Sequence, residues 1–163
     1  MQRIIKYILV VWIPLMSSET IVLDGNLDEQ EWESAFVIND YYEVVPFTLN
    51  PAKVKTTAKI FSNEDGIYVG FVNYQEKSSM VSNKSLRDAW DVNAEQNGIA
   101  IDFDSDGARA YMFIISLANV QRDGIRQLGS FPEFDWDGDW QAQTKKHDGY
   151  WTCLLYTSPS PRD

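Results

Sequence analysis

The sequence predicts an all-β chain folded as an antiparallel β-sandwich, and three observations predict it. Aromatic residues make up 13% of the 163 residues, and they recur beside Asp and Gly, a composition suited to strands and tight turns. Apolar runs of strand length are separated by turn pairs at Asp24-Gly25, Asp65-Gly66, Asp106-Gly107 and Asp148-Gly149. Helical stretches are few. With 44% hydrophobic residues the chain carries enough apolar surface to offset the entropy of folding, and its length fits one domain.

The elements follow in chain order. Ile21–Leu23 reads as a short strand closed by the Asp24-Gly25 turn. Asp28–Ala35 reads as a short helix behind an Asp28 cap, with Leu27, Trp32 and Ala35 forming an apolar face that covers a sheet edge. Asp40–Pro51, which carries Pro46 and Pro51 and no clear period, reads as an irregular connection or edge segment. Val54–Ser62 and Gly66–Glu76 form the clearest hairpin. Lys77–Glu95 is polar and reads as a long surface loop. Gly98–Asp104 and Arg109–Leu117 flank Ser105–Ala108 as a second hairpin with one bulky apolar face, expected to be central. Asn119 stands where a left-handed turn residue is expected. Trp140–Lys146 and Tyr150–Thr152, joined through His147-Asp148-Gly149, begin a third hairpin.

The two ends read differently. Met1–Ser18 combines basic Arg3 and Lys6, an apolar run from Tyr7 to Met16, and small polar Ser17 and Ser18, which is the layout of a signal peptide. The run is shorter than the about 20 residues a spanning helix needs, and Pro14 would break it. Cys153–Asp163 is a Ser/Pro-rich tail whose residues match the translation of a transposase sequencing adapter. It is therefore set outside the fold as non-native, and the sandwich is expected to be truncated near Thr152 with its last strands missing. Cys153, the single cysteine, lies in that tail, so the rest of the chain offers no disulfide, thiolate metal site or cysteine nucleophile. The formal net charge of -10 repels phosphate backbones and anionic headgroups, so neither nucleic acid nor membrane insertion is expected.

Four segments, Ile21–Trp32, Gly66–Phe71, Gly98–Asp102 and Asp148–Trp151, together resemble the carbohydrate-binding module family 9-like domain, and the resemblance covers Thr20–Thr152. Arg109–Phe113, Val120–Ile125 and Phe134–Trp140 resemble, more particularly, the N-terminal domain of bacterial envelope proteins of unknown function that carry a C-terminal barrel-like domain. Ser116-Leu117 and Glu95-Gln96-Asn97 depart from that variant's usual Asn-Pro and acidic-aromatic pairs. The resemblance implies a secreted or periplasmic, non-catalytic β-sandwich that grips the ends of an oligosaccharide or polysaccharide between aromatic side chains. Two alternatives stay open: a periplasmic structural or interaction domain preceding an outer-membrane barrel-like domain, and an accessory part of a glycoside hydrolase.

The candidate site residues are few. Trp90 lies in the polar loop, roughly where sugar-binding relatives place one aromatic of their clamp, and a flat indole stacks on a pyranose face. In Asp135-Trp136-Asp137-Gly138-Asp139-Trp140, Trp136 is a second stacking candidate and Asp135 and Asp137 are candidate acceptors for sugar hydroxyls, while Trp140 reads as the start of a core strand. Sugar binding requires Trp90 and Trp136 to be exposed on one face; a structural role buries them. Asp102, Asp104 and Asp106 before Gly107 match the opening of a calcium loop, which makes calcium the one candidate ion. Phe113 stands where an EF-hand needs its bidentate glutamate, so an EF-hand is rejected, and an ordinary hairpin turn competes. The lone His147 has no partner for zinc or a catalytic triad. No two carboxylates are singled out as a glycosidase pair.

Overall fold

The computed structural model describes residues 21–89 and 92–158. Among them are ten strands: β1 Phe36–Ile38, β2 Tyr42–Val44, β3 Phe47–Pro51, β4 Lys55–Ser62, β5 Ile67–Tyr74, β6 Gln96–Ile101, β7 Arg109–Ser116, β8 Gln121–Gln127, β9 Trp140–Lys146 and β10 Tyr150–Thr157. They form a five-stranded sheet in the order β1-β4-β5-β10-β9, a three-stranded sheet β6-β7-β8 and a small β2-β3 pair. All pairings are antiparallel. The fold is the predicted all-β sandwich.

The core follows from alternation along the strands. Tyr111, Phe113 and Ile115 of β7 point inward onto Ala58 of β4, Val69 and Phe71 of β5, Trp140 of β9, and Cys153 and Leu155 of β10. The register aligns Ala58, Phe71, Cys153 and Thr144 across four adjacent strands, so one inward row crosses the larger sheet. The opposite face of that sheet is covered too. Trp32, Tyr68 and Leu154 form a second buried cluster, with Leu23, Leu27 and Ala35 packed around it. Rings climb this face from Trp32 to Phe61 (4.7 Å, edge-on), to Tyr68 (4.8 Å, stacked) and to Tyr156 (4.9 Å). Gly70 permits the approach, since a Cβ there would lie 2.6 Å from Leu27 Cδ2 and 3.0 Å from Trp32 Cζ3. Burial on both faces explains why β5 and β10 read as near-continuous apolar runs.

Four expectations are corrected. Residues 28–35 contain a single 3₁₀ turn, Gln30–Glu33, with Glu29 rather than Asp28 at its start and no side-chain cap. The Glu29 carboxylate instead accepts the backbone N–H of Val22 (3.0 Å) and the Trp32 indole N–H (2.9 Å). It fixes the ring over Gly70, and it supplies Val22 with a partner that a strand would otherwise have provided; Ile21–Leu23 accordingly forms no strand. Asp40–Pro51 is a hairpin, β2-β3, turning through the cis Val45-Pro46 peptide and pointing Val45 and Phe47 into solvent. Of the second hairpin only β7 is central, because β6 is an edge strand.

The larger correction concerns the tail. Strand β10 continues to Thr157, pairing with β5 through Thr157↔Ile67 and with β9 through Thr157↔Trp140. Cys153, Leu154, Leu155 and Thr157, placed outside the fold by the sequence reading, are fully buried. The segment Cys-Leu-Leu-Tyr-Thr is apolar and strand-forming, so it continues the alternation begun at Tyr150 whatever its origin. Asn119 adopts the left-handed conformation as expected (φ 59°), and its side-chain oxygen accepts from Thr144 N (2.7 Å) and Thr144 Oγ1 (2.8 Å), tying the β7-β8 turn to β9.

Burial pushes the Cys153 thiol far above its ordinary value. The thiol should therefore resist Ellman's reagent in the native protein and react fully in denaturant. Leu155→Ala should cost about 2–5 kcal/mol in urea unfolding; a loss below 1 kcal/mol would place Leu155 outside the core.

Candidate functional site

Trp90 lies outside the described residues, as does Asp91, but the residues on either side of this pair are held by side chains from two strands. Arg122 on β8 donates from Nη1 to the Ala89 carbonyl (3.2 Å), and Gln96 on β6 donates from Nε2 to the Val92 carbonyl (3.2 Å). Arg122 Nη2 also donates to Gln96 Oε1 (3.2 Å), closing the frame. The register pairs Gln96 with Ser116 and Arg122 with Ile114, two residues apart on β7, so Gln96 and Arg122 share the face turned away from Phe113 and the core. The Arg122 guanidinium sits 5.0 Å over the Phe134 ring. Burial lowers its pKa, and Asp88 opposes that shift.

Inward of this face lies a carboxylate-guanidinium cluster. Asp123 is fully buried beside Phe113, its register partner. Its Oδ1 pairs with Arg87 Nη2 (2.6 Å) and its Oδ2 accepts the Gly138 N–H (2.6 Å). Arg87 also bonds Gln121 Oε1 (3.1 Å) and pairs with Asp88 (3.3 Å) and Asp137 (3.1 Å). Asp88 closes the ring by accepting the Asp123 N–H at 3.1 Å. Burial pushes the Asp123 carboxyl above the usual carboxylate range, while the Gly138 N–H and Arg87 pull it back. The cluster clips the loop around residue 88 and the segment around residue 138 to the edge of β8.

The predicted trio Asp135, Trp136 and Asp137 is split, the two acids being exposed and the indole half-buried between them. Asp135 is exposed and Asp137 is tied to Arg87. Trp136 is half-buried, edge-on to Tyr111 (5.1 Å) and Phe113 (5.8 Å), and its ring lies against Gly138, where a Cβ would be 2.4 Å from Cη2. It packs on the core rather than joining the two acids as a stacking surface. Trp140 begins β9 and is buried, as read.

Asp102, Asp104 and Asp106 sit in the β6-β7 turn. Asp102 Oδ1 accepts the N–H groups of Asp104 (3.1 Å) and Ser105 (2.8 Å), its Oδ2 accepts that of Gly107 (2.7 Å), and Asp106 Oδ1 accepts that of Ala108 (2.8 Å). These bonds build the turn itself. Among the described residues, the three carboxylates whose oxygens converge within 4.8 Å are Asp88, Asp123 and Asp137, and Arg87 already bridges them. His147 stacks on Tyr150 (4.3 Å) and contacts Thr152 Oγ1 (2.9 Å) in its turn, and burial lowers its pKa.

Sequence reasoning missed Gln96, Arg122, Arg87 and Asp123. The only signal was Arg122-Asp123 inside a strand pattern, where alternation forces one of two adjacent charges inward and demands a partner. Between the sheets a groove of about 360 Å³ carries further amides, but these are spent on one another. Asn73 and Asn97 exchange hydrogen bonds (2.8 and 3.2 Å), Gln75 donates to Glu95 (3.0 Å), and Trp151 donates to Gln75 (3.3 Å).

Arg87→Met should unclip the loops and destabilise by about 1–3 kcal/mol at pH 7, the half-exposed arginine placing the loss below that of a wholly buried pair. A raised native carboxyl pKa means that the native state holds its proton more tightly, so stability falls as pH rises through it. Removing Arg87 raises that pKa further. Urea titrations should thus show a greater loss at pH 7 than at pH 4, and adding Asp123→Asn should remove the difference. An equal loss at both pH values would contradict the coupling.

No family model matches the sequence, and no curated protein matches it. Solved structures do. A candidate carbohydrate-binding protein from Bacteroides uniformis superposes with a TM-score of 0.62 at 10% identity, over 80% of this chain and 63% of that one. A carbohydrate-binding module of family 9 from Caldicellulosiruptor kristjanssonii in complex with glucose gives 0.61 at 14% identity, over 86% and 65%. The same organism's family 9 module with cellotriose gives 0.58 at 13% identity, over 86% and 64%. The chain spans less than two thirds of each of these structures. Its fold is that of the family 9 carbohydrate-binding modules.

Proposed function

We propose that this chain is a carbohydrate-binding domain without chemistry of its own, in which Trp90 stacks on a pyranose ring. The observation that carries the reading is the frame around that residue. Arg122 and Gln96, rooted in β8 and β6, fix the carbonyls of Ala89 and Val92 that bracket Trp90 and Asp91. Anchoring the two flanking residues lowers the ordering entropy that a stacking residue between them has to lose on binding. Arg122 and Gln96 are positioning residues in this scheme. The shared fold supports it, because two neighbours were solved with glucose and cellotriose. The net charge of -10 favours neutral saccharides over anionic ones. Oligosaccharides and polysaccharides of glucose are therefore the first ligands to test. Export directed by Met1–Ser18, a segment outside the described residues, fits an extracellular or periplasmic substrate.

A second reading, an interaction domain of an envelope protein, is favoured by one feature. The β2-β3 hairpin exposes Val44, Val45, Phe47 and Leu49, Val45 at 90%.

Calorimetry with cellotriose and a glycan array decide between them. The wild type should bind a glucan, Trp90→Ala should weaken binding at least about tenfold with Tm unchanged, and Arg122→Met should weaken it less. Absence of binding to every saccharide, or wild-type affinity in Trp90→Ala, would sink the first reading.

A further inference from the structure

Across β5 and β10 two tyrosine pairs stand directly opposite each other, Tyr68↔Tyr156 and Tyr74↔Tyr150. An even separation along each strand puts all four side chains on the outer face of the five-stranded sheet. Their surroundings differ. Tyr68 is buried, stacked on Phe61 and 4.9 Å from the Tyr156 ring, whose hydroxyl donates to the Asp65 carbonyl (3.0 Å). Tyr74 is 48% exposed and Tyr150 is half-buried, with ring centroids 6.3 Å apart and planes inclined by 38°. Lys55 Nζ lies 5.1 Å over the Tyr74 ring, and the His147 imidazole stacks on Tyr150 at 4.3 Å. These supports come from the two flanks of the pair, β4 beside β5 and the turn after β9 beside β10, so they limit how far the rings swing apart. Directly opposed side chains on neighbouring strands have Cβ atoms about 4.5–5.5 Å apart, so side-chain rotation alone can bring the ortho carbons of the two phenols together.

We propose that Tyr74 and Tyr150 are an oxidative cross-linking site, at which a peroxidase supplied with hydrogen peroxide joins the two rings as dityrosine. Each phenol gives up one electron and one proton to become a phenoxyl radical, and a carbon–carbon bond forms between the two ortho carbons. Tautomerisation restores both rings, so the protein has lost two hydrogen atoms while one hydrogen peroxide has been reduced to two waters. The pair combines an adjoining partner, access to solvent and restrained rings. Tyr68 and Tyr156 adjoin, but burial shields Tyr68 from an oxidant. Tyr42 is 55% exposed, but among the described residues no ring contact joins it to another tyrosine. The chain's single cysteine is free and buried, so no disulfide competes for this role. A bond between residues 74 and 150 ties β5 to β10 covalently and removes loop entropy from the unfolded chain, as a disulfide would.

The test treats the dilute intact chain with a peroxidase and hydrogen peroxide. Mass spectrometry should show a monomer lighter by two hydrogen atoms, with dityrosine fluorescence and a pair of tryptic fragments joined through Tyr74 and Tyr150. The unfolding midpoint of the product should shift to higher urea. Tyr74→Phe and Tyr150→Phe, which keep each ring and remove only its hydroxyl, should each lose the monomer cross-link, and Tyr156→Phe should retain it. The proposal is overturned if the monomer gains no cross-link, if only covalent dimers form, if Tyr74→Phe cross-links as the wild type does, or if the link maps to Tyr68 and Tyr156.

Discussion

The structure depends on the insertion of β10 between β5 and β9. This strand brings together elements separated by about half the chain, and its register places Cys153 beside Phe71 and Thr144, and Leu155 beside Val69 and Ala142. Its two faces serve different cores. Cys153 and Leu155 look toward β7, and Leu154 looks toward Trp32 and Tyr68. A slip of one residue would exchange the two faces, setting Tyr156 and Leu154 against Phe113 and Cys153 against the Trp32 cover. Thr152 adds a polar check, its hydroxyl donating to the Gly25 carbonyl at 2.6 Å. The N-terminal Asp-Gly turn is thereby fastened to the last strand.

Much of this was legible in the sequence, for definable reasons. The β4-β5 and β6-β7 hairpins have turn pairs flanked by runs of the right length, and both formed close to where they were expected. Asn119 was legible because few residues accept its backbone conformation. What failed were segments decided by single long-range contacts. Asp28–Ala35 has helix-forming composition, yet the Glu29 carboxylate binding the Trp32 indole holds it to one turn. Residues 153–157 were set aside because of their apparent origin, but packing responds to side chains, and Leu154 and Leu155 meet two apolar clusters regardless of how they came to be encoded.

The candidate site was legible in part. Trp90 stood out as a lone indole in a polar loop, but nothing local linked it to Gln96 and Arg122, whose roles arise only when β6 and β8 lie on either side of β7. Trp136 misled for a complementary reason. An aromatic between two acids resembles an exposed platform, whereas the ring packs edge-on against Tyr111 and Phe113 while the acids stay exposed. Asp123 is the strongest instance of context. It is a buried carboxylate on the inward face of the edge strand β8, made tolerable by Arg87 and the Gly138 N–H. Gln96 and Arg122 hold the carbonyls of Val92 and Ala89, and the carboxylate clip beside them holds Arg87 and Asp88.

The central claim, that this domain binds saccharide through Trp90, is tested most directly by residue-resolved NMR during a cellotriose titration. The account predicts chemical-shift changes confined to Trp90 and its neighbours and to Gln96 and Arg122, with Tyr68, Leu154 and the Trp32 cover unmoved. Changes centred on the Trp32 face or on the β2-β3 hairpin would contradict it.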